Sequence, residues 1–441
     1  MTTPQTLPND LQSYWLPFTA NRLFKSNPRM FVAAEGMHYR TSDGRLILDA
    51  MAGLWCVNAG HNPPRIVKAI QDQAARMDFV SSFQMSHPLG FLLAERIADL
   101  APAGMDRVFF TNSGSEAVDT ALKIARAYHK VRGHANRVKL IGRARGYHGM
   151  GFGGLSVAGI PRHRRDFGPL LGDVDHLPHT HDLARNAFSR GQPAWGAHLA
   201  DELESIVQIH DASTIAAVIV EPVTGSGGVL PPPVGYLERL RELCTRHGIL
   251  LIFDEVISGF GRLGAPFGST ALGVTPDLIT CAKGMTNGAV PMGGVIASRA
   301  VYDAFMHGPE TTVELMHGYT YSGHPLACAA SLAAIETYEQ DGLFERGPEI
   351  CATWENIIHQ LKGAPHICDI RSIGLLAAIE LTSREGAVGA RAAEAAELCF
   401  EQGVLVRVAG DSLVLSPPLI ITPEQMTRVT EAIHSALQQV A

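Results

Sequence analysis

Several residues that could bind an anion follow directly after a strand-like apolar run at 107–110. Ser113 and Ser115 supply hydroxyl groups, and Gly114 between them lets a ligand approach the backbone closely. The free N–H groups of a following helix start would add to a site for an anion such as phosphate. Ser113 and Glu116 also have the spacing of a capping box, which would only satisfy the helix start. The segment therefore needs support from elsewhere in the chain.

That support comes from an aspartate and a lysine at the ends of two later apolar runs. Asp254 could bind a metal, cap a turn or pair with a cationic ring nitrogen. Lys283 has small and apolar neighbours that would lower its pKa by desolvation and make it nucleophilic, while a solvated loop lysine is the ordinary alternative. A phosphate loop, an aspartate and a lysine together match the phosphate, ring nitrogen and aldehyde of pyridoxal phosphate (PLP).

The elements that must position these residues alternate between strands and helices. Helical patterns cover 116–131 and 236–247, and Gly248 follows the second as a C′ glycine would. Continuous apolar strands separated by helices predict an α/β fold with a mostly parallel sheet covered on both faces. Such sheets bind ligands at the carboxyl ends of their strands. The strand-length apolar runs lie at 107–110, 137–142, 215–221, 249–255 and 278–282.

The last part of the chain has a different texture. A long helix begins near Leu326, and a final helix begins near Pro423. Between them lie strand-like segments at 367–381, 404–408 and 413–419. This pattern predicts a smaller α+β unit.

Length, composition and charge favour a small-molecule enzyme. The 441 residues are 46% hydrophobic and 18% charged, which is the balance of a globular protein of two or three structural units. A net charge of −7 gives no electrostatic reason to bind nucleic acid or an anionic membrane. The start does not resemble a secretory signal, no segment is apolar enough to span a bilayer, and the 7 cysteines form no C-x-x-C pair. We therefore expect a cytoplasmic protein.

Two long motifs resemble the signature of the class III (ω-) aminotransferases of fold type I. They are IFDEVISGFGRLG at 252–264 and PDLITCAKGMTNG at 276–288. The segments LIGRARGYHG, DVDHLPHT, HGYTYSGHP and VRVAGD bring the chain nearest to the ω-amino acid:pyruvate (β-alanine:pyruvate) transaminases. The resemblance spans nearly the whole chain. It implies PLP-dependent transfer of an amino group from an ω-amino acid or primary amine to pyruvate by a ping-pong mechanism.

The resemblance also implies a fold and a quaternary structure. A large PLP-binding domain at 59–324 would contain a mostly parallel, seven-stranded sheet. The N-terminal segment at 1–58 and the C-terminal residues 325–441 would form a smaller α+β domain. The cofactor site would lie at the interface of a homodimer, where Thr320 reaches the phosphate of the neighbouring subunit, and dimers could pair into tetramers.

The roles of the cofactor-binding residues carry over from the family to matching positions. Lys283 would form a Schiff base with the cofactor and then carry a proton, and Asp254 would keep the ring nitrogen protonated. Glu221 would support Asp254 or the ring hydroxyl, while Tyr147 and Val256 would lie on the two ring faces. The complete cofactor-binding set is Ser113, Gly114, Ser115, Tyr147, His148, Glu221, Asp254, Val256, Lys283 and Thr320.

The substrate pocket follows from the same resemblance. Arg407 matches the arginine that grips the substrate carboxylate, and a guanidinium fork suits that task better than a lysine. Without the resemblance, Arg407 would be interpreted as a surface arginine at the end of a strand. Phe18, Trp55, Phe83 and Tyr147 resemble the aromatic wall of the pocket, although without the resemblance the first three would be core aromatics.

Four alternatives stand beside this interpretation. Residues 259–264 satisfy G-x-G-x-x-G, but Pro266 follows where a dinucleotide-binding loop should open a helix. Residues 175–181 contain three histidines that could bind zinc, although a proline and the spacing favour a solvated loop. A non-catalytic binding protein of the same fold is a third alternative, but such a protein would not need to keep Lys283. An aminomutase or a decarboxylating transaminase of class III would share the same lysine and aspartate. For a transaminase, the amine donor could be β-alanine, a longer ω-amino acid or an arylalkyl amine.

Overall fold

A computed structural model describes residues 7–441. Its strands are β1 (Phe31–Glu35), β2 (His38–Thr41), β3 (Leu46–Asp49), β4 (Met105–Thr111), β5 (Lys139–Arg143), β6 (Val174–Leu177), β7 (Ile215–Val220), β8 (Leu250–Asp254), β9 (Leu278–Ala282), β10 (Gly293–Ser298), β11 (Ile367–Ile373), β12 (Leu376–Leu381), β13 (Val404–Leu405), β14 (Arg407–Ala409) and β15 (Ser412–Leu415). Its α-helices are α1 (Asn21–Ser26), α2 (Ala52–Trp55), α3 (Pro64–Arg76), α4 (Pro88–Leu100), α5 (Gly114–Val131), α6 (Phe152–Val157), α7 (Pro161–Arg164), α8 (Leu183–Asn186), α9 (Glu202–His210), α10 (Tyr236–His247), α11 (Gly268–Ala271), α12 (Arg299–Asp303), α13 (Pro325–Gln340), α14 (Gly347–His359), α15 (Ala390–Glu401) and α16 (Pro423–Leu437). Short 3₁₀ helices cover Ala197–Asp201, Ala212–Thr214 and Lys283–Thr286.

The largest sheet has seven strands in the order β4-β10-β9-β8-β7-β5-β6. Strands β9, β8, β7, β5 and β6 pair in parallel, whereas β10 runs antiparallel between β4 and β9. Every residue of β7, β8 and β9 is buried, as expected for strands that are covered on both faces. The predicted mostly parallel, seven-stranded α/β sheet is therefore confirmed.

Helices cover both faces of this sheet. Along β7, Ala217 and Ile219 pack into an apolar cluster that contains buried residues of α5. Val218 and Val220 point the opposite way and pack into a second cluster with residues of α9 and α10. The sheet is thus held between two apolar layers, which leaves its strand ends free to carry polar residues. None of the helices within residues 7–441 is long and apolar enough to cross a membrane.

Local chemistry explains the bounds of two of the predicted helices. Helix α5 begins at Gly114 because the Ser113 hydroxyl caps it by accepting a hydrogen bond from the N–H of Glu116, at 3.1 Å. The predicted start at Glu116 was therefore two residues late. Helix α10 has the predicted bounds and is terminated by the next residue, Gly248, whose φ of 63° is a left-handed conformation that glycine adopts without strain.

Two smaller sheets complete the fold, in the orders β1-β2-β3-β13 and β11-β12-β15-β14. The first joins strands from both ends of the chain, since β13 pairs in parallel with β3 and Val404 lies opposite Leu48. In the second, β14 pairs antiparallel with β15 and begins with Arg407. The division into domains at residues 58 and 324 stays a prediction.

Candidate active site

The carboxyl ends of β8 and β9 bring Asp254 and Lys283 to one edge of the large sheet. Asp254 is the last residue of β8, and Lys283 directly follows β9. The two strands are parallel neighbours, with Asp254 opposite Thr280. Because the carboxyl ends of parallel strands open onto one crevice, the aspartate and the lysine share a site.

The surroundings of Lys283 disfavour its charged form. Desolvation lowers the pKa of Lys283 from its usual 10.5 to about 8, although part of its side chain stays open to the site. The charges of Asp254 and Glu221 oppose this shift in pKa, and the charge of Arg407 adds to it. The φ of Lys283 is 52°, a conformation that is uncommon for a residue with a side chain and that concentrates at functional sites. Burial therefore favours the neutral amine of Lys283, the form that a nucleophile needs.

Hydrogen bonds fix both carboxylate oxygens of Asp254. Nδ1 of His148 lies 2.7 Å from Oδ2 of Asp254. Oδ1 accepts hydrogen bonds from the Thr280 hydroxyl at 3.1 Å and from the N–H of Val256 at 3.2 Å. Only 6% of Asp254 is exposed. The carboxylate is thus held in one direction, as a partner for a cationic group requires.

The start of α5 offers unpaired hydrogen-bond donors beside Asp254. Within the described residues, the N–H groups of Gly114 and Ser115 have no acceptor. A Cβ added to Gly114 would lie 2.9 Å from Cγ1 of Val256, so glycine is what allows this close contact. The capping box is only half formed, because the Glu116 carboxylate accepts hydrogen bonds from the N–H and the amide of Asn112, at 2.8 and 2.9 Å. The helix start is capped and still free to bind an anion.

Glu221 ties two loops together beneath the site. Its Oε1 accepts a hydrogen bond from the N–H of Tyr147 at 2.9 Å, and its Oε2 accepts one from the N–H of Gly225 at 2.8 Å. Burial raises the pKa of Glu221, the charge of His148 lowers it, and the charge of Asp254 raises it further. Among the described residues, no hydrogen bond joins Glu221 to Asp254 directly. Glu221 therefore positions Tyr147.

Arg407 extends the site on the side of Tyr147. Arg407 is half-buried, and its side chain makes no hydrogen bond or ion pair with any described residue. Burial lowers the pKa of Arg407, the nearby Tyr147 raises it, and the positive charge of Arg162 lowers it. An unpaired, half-buried guanidinium whose charge reaches the lysine is suited to binding the carboxylate of a substrate.

The predicted aromatic wall is only partly assembled within one chain. Phe18 is 72% exposed, and Phe83 is 54% exposed with its ring against Gly318. Trp55 is 2% exposed and packs in an apolar cluster, so in its burial it is a core aromatic. Thr320 is exposed and makes no hydrogen bond with the described residues. Within residues 7–441, neither Phe83 nor Thr320 makes a hydrogen bond or ring contact with Lys283.

Sequence reasoning missed two residues at this site. Thr280 orients Asp254, and a hydroxyl alone within an apolar strand was the available signal. The ring of His163 contacts those of Tyr147 and Phe18, with centroids 5.6 and 5.5 Å apart. No local pattern marks His163, since only the folded chain brings α7 beside Tyr147.

The two alternative motifs have structural roles elsewhere. Residues 259–264 form turns that open no helix, and Arg262 within them is fully buried with its guanidinium 2.6 Å from Oδ1 of Asn58. Two of the three histidines of 175–181 have separate partners. Nε2 of His176 lies 3.0 Å from the carbonyl of Ala158, and Nε2 of His181 lies 3.1 Å from Glu380. His181, Glu380 and Asp369 do cluster, but the Arg371 guanidinium donates to both carboxylates and supplies their positive charge.

Comparisons with known proteins show which proteins this chain is similar to. An ω-aminotransferase of Caulobacter vibrioides is 60% identical over 98% of this chain and 98% of its own. A β-alanine–pyruvate aminotransferase of Pseudomonas aeruginosa is 49% identical over 98% of this chain and 97% of its own. A solved PLP-bound amine transaminase from an uncultivated Pseudomonas species superposes with a TM-score of 0.89 at 34% identity, covering 98% of this chain and 99% of that one. Residues 22–437 match the aminotransferase class-III family, and the chain belongs to that family.

Proposed function

We propose that this aminotransferase binds PLP at the ends of β8, β9 and α5 and moves an amino group from an ω-amino acid or primary amine to pyruvate. The observation that carries the proposal is the desolvated Lys283 beside the oriented Asp254 on neighbouring strands. The β-alanine–pyruvate activity named for a relative at 49% identity supports the choice of substrates. The half-buried, unpaired Arg407 supports it independently, because a substrate carboxylate would give it a partner.

The residues of the site fit PLP. The unpaired N–H groups of Gly114 and Ser115 suit its phosphate, since a helix N-terminus stabilises anions. The fixed carboxylate of Asp254 suits its ring nitrogen, and Lys283 suits its aldehyde. Val256 lies two residues after Asp254, and its side chain lies close to Gly114 at the start of α5. The site is therefore narrow between the start of α5 and the side chain of Val256.

The side chains of this protein divide the work among themselves. When bound, PLP supplies an electron sink for the carbon that carries the amino group. Nζ of Lys283 moves the proton at that carbon, and a pKa of about 8 suits both taking and returning it. Asp254 holds the proton on the ring nitrogen. Tyr147 and Val256 would shield the bound cofactor from water, and Arg407 would bind the carboxylate of the substrate.

We also propose that the working enzyme is a homodimer in the cytoplasm, and that dimers can pair into tetramers. Phe18, Phe83 and Thr320 are predicted to serve the site, yet all three are exposed in the single chain. A second subunit would cover the aromatic rings and bring Thr320 to a phosphate. The free cysteines suit a reducing compartment.

The first test is the pH dependence of cofactor uptake. Apoprotein mixed with PLP is expected to develop visible absorbance that borohydride bleaches. Only the neutral amine of Lys283 attacks, so the rate should rise about tenfold per pH unit below the pKa and level off near pH 8. Stopped-flow absorbance measures this rate. A rate that keeps rising to pH 10 would mean that Lys283 keeps its ordinary pKa, and a colourless protein would contradict PLP binding.

A second test separates substrates with a carboxylate from those without one. Replacing Arg407 with alanine is expected to raise KM for pyruvate and β-alanine, at a cost of about 1.5–3 kcal/mol for one charge-assisted interaction. Arylalkyl amines should be much less affected, because they do not use that charge. The half-reaction of each amine, followed through the cofactor spectrum, measures the difference.

Arg407→Lys is the matched variant for this test, since it keeps the charge and removes the guanidinium fork. We expect it to recover part of the affinity for β-alanine. If Arg407→Ala slowed β-alanine and an arylalkyl amine equally, Arg407 would support the fold instead. Arg262 could not replace it, because its guanidinium is buried against Asn58 and the carbonyl of Pro417.

A further inference from the structure

The short helix α7 contributes a polar surface to the wall of the proposed substrate pocket. The imidazole of His163 packs edge-on against Tyr147, with ring centroids 5.6 Å apart, and against Phe18, with centroids 5.5 Å apart. Nδ1 of His163 is buried without a hydrogen-bond partner among the described residues. Burial lowers the pKa of His163, and the charges of Arg162 and Arg407 lower it further. The imidazole is therefore neutral near pH 7 and polar, with no charge of its own.

Arg162, the residue before His163, is the unpaired member of a basic run. Arg164 donates to the carbonyl of Ala158 at 2.7 Å, and Arg165 lies 3.4 Å from Asp166. Arg162 is exposed, and no hydrogen bond or ion pair joins it to any described residue. Its neighbours along the chain, Pro161 and His163, offer it no carboxylate. Arg162 is thus a free cation beside the pocket wall.

Two unpaired guanidinium groups therefore act on the same wall. The half-buried Arg407 is the inner cation, and its charge reaches Lys283. The exposed Arg162 is the outer cation, and it directly precedes His163, whose ring packs against Tyr147 and Phe18. Arg162 is exposed, whereas Arg407 is half-buried, so the two cations lie at different depths. Like charges in one cleft repel each other and favour an anion between or beside them. A substrate carboxylate bound at Arg407 would leave Arg162 without an anionic partner.

We propose that Arg162 is a second carboxylate receptor, which binds ω-amino acids longer than β-alanine at the mouth of the pocket. This inference rests on the proposed function, since the donor amine must reach Lys283. In β-alanine the carboxylate is close to the amine and is within reach of the inner arginine. Each further methylene moves the carboxylate outward toward Arg162, while the methylenes pack along Tyr147, His163 and Phe18. Within the proposed donor class, Arg162 would thus favour longer linear ω-amino acids such as 6-aminohexanoate.

The experiment compares donors that have the same chain length, with and without the carboxylate. Half-reactions of the holoenzyme with 6-aminohexanoate and with hexylamine are measured for the wild type, Arg162→Gln and Arg165→Gln. Arg162→Gln is expected to lower the ratio of kcat/KM for 6-aminohexanoate to that for hexylamine by about five- to tenfold. Arg165→Gln removes an equal charge from the same loop and should leave that ratio within about twofold of the wild type. Hexylamine controls for folding and for cofactor loading.

A binding measurement with no chemical step completes the test. Calorimetry gives Kd for hexanoate and for acetate with the holoenzyme. We expect Arg162→Gln to weaken hexanoate more than acetate, and Arg407→Ala to weaken acetate more than hexanoate. If Arg162→Gln kept the wild-type ratio of kcat/KM for the two donors and the wild-type Kd for hexanoate, Arg162 would not be a second carboxylate receptor. The proposed transaminase activity would be unaffected by that result. A wild type that reacts with no amine would instead contradict the proposed function.

Discussion

Replacing Lys283 with alanine is expected to abolish transamination while the protein still takes up PLP. The phosphate-binding N–H groups of α5 and the carboxylate of Asp254 remain in the variant, so noncovalent binding persists. The amine that moves the proton is gone, and one positioned acid–base group contributes about 10²–10⁴-fold to a rate. Loss of the nucleophile adds to that effect. The expected turnover is therefore at or below the limit of detection.

Turnover with β-alanine and pyruvate, together with absorbance before and after borohydride, measures the two halves of this prediction. Lys139→Ala is a matched control, because Lys139 lies at the opposite end of the sheet, at the start of β5, with its ammonium 3.8 Å from Asp173. That control should keep wild-type turnover and colour. Near wild-type activity in Lys283→Ala would make the whole site assignment wrong.

Replacing Asp254 with asparagine is expected to lower kcat by about 10–150-fold, which corresponds to about 1.5–3 kcal/mol for a hydrogen bond to a charged group. A neutral amide cannot hold a proton on the ring nitrogen, so the electron sink weakens while the shape of the site is preserved. His148 and Thr280 would also lose a charged partner. The effect should fall on kcat more than on KM, because Asp254 makes no contact with the carboxylate of the substrate.

Pre-steady-state kinetics with saturating β-alanine measures this change. Asp277→Asn is a matched control, since Asp277 precedes β9 at the amino end of the strand and accepts a hydrogen bond from the N–H of Leu251 at 2.7 Å. It makes the same chemical change at the far edge of the sheet, and we expect kcat within about twofold of the wild type. An unchanged kcat in Asp254→Asn would place the ring nitrogen against another group.

Much of this site could be predicted because its residues end strongly apolar strands. The runs that became β8 and β9 lie within one residue of the predicted strands, and the polar residue at each end is the one that matters. Periodicity fixes such strands, and the parallel arrangement brings their ends to one edge. The class III resemblance then supplied the partners Tyr147 and Arg407, which no local pattern distinguishes.

The remainder depends on tertiary contacts that leave little trace in the sequence. Strand β10 begins with Gly293 and Gly294, which have low strand propensity, and it forms only because β4 and β9 flank it. The Glu116 carboxylate bonds to Asn112 where a complete capping box would have been expected. His163 joins the pocket wall because the chain after Tyr147 folds back and brings α7 beside it. In each case neighbours distant in sequence decided the outcome.

The parallel pairing of β13 with β3 has a consequence for how the chain folds during synthesis. Leu48 and Val404 come from opposite ends of the chain, and the N–H of Ser416 also donates to the carbonyl of Ala50 at 2.8 Å. Strand β3 therefore emerges from the ribosome with one edge unpaired, and it stays so until β13 has been made. Pairings between such distant residues slow folding, and open strand edges favour aggregation. The segment that leads to Trp55 is made among the first and reaches its final place among the last.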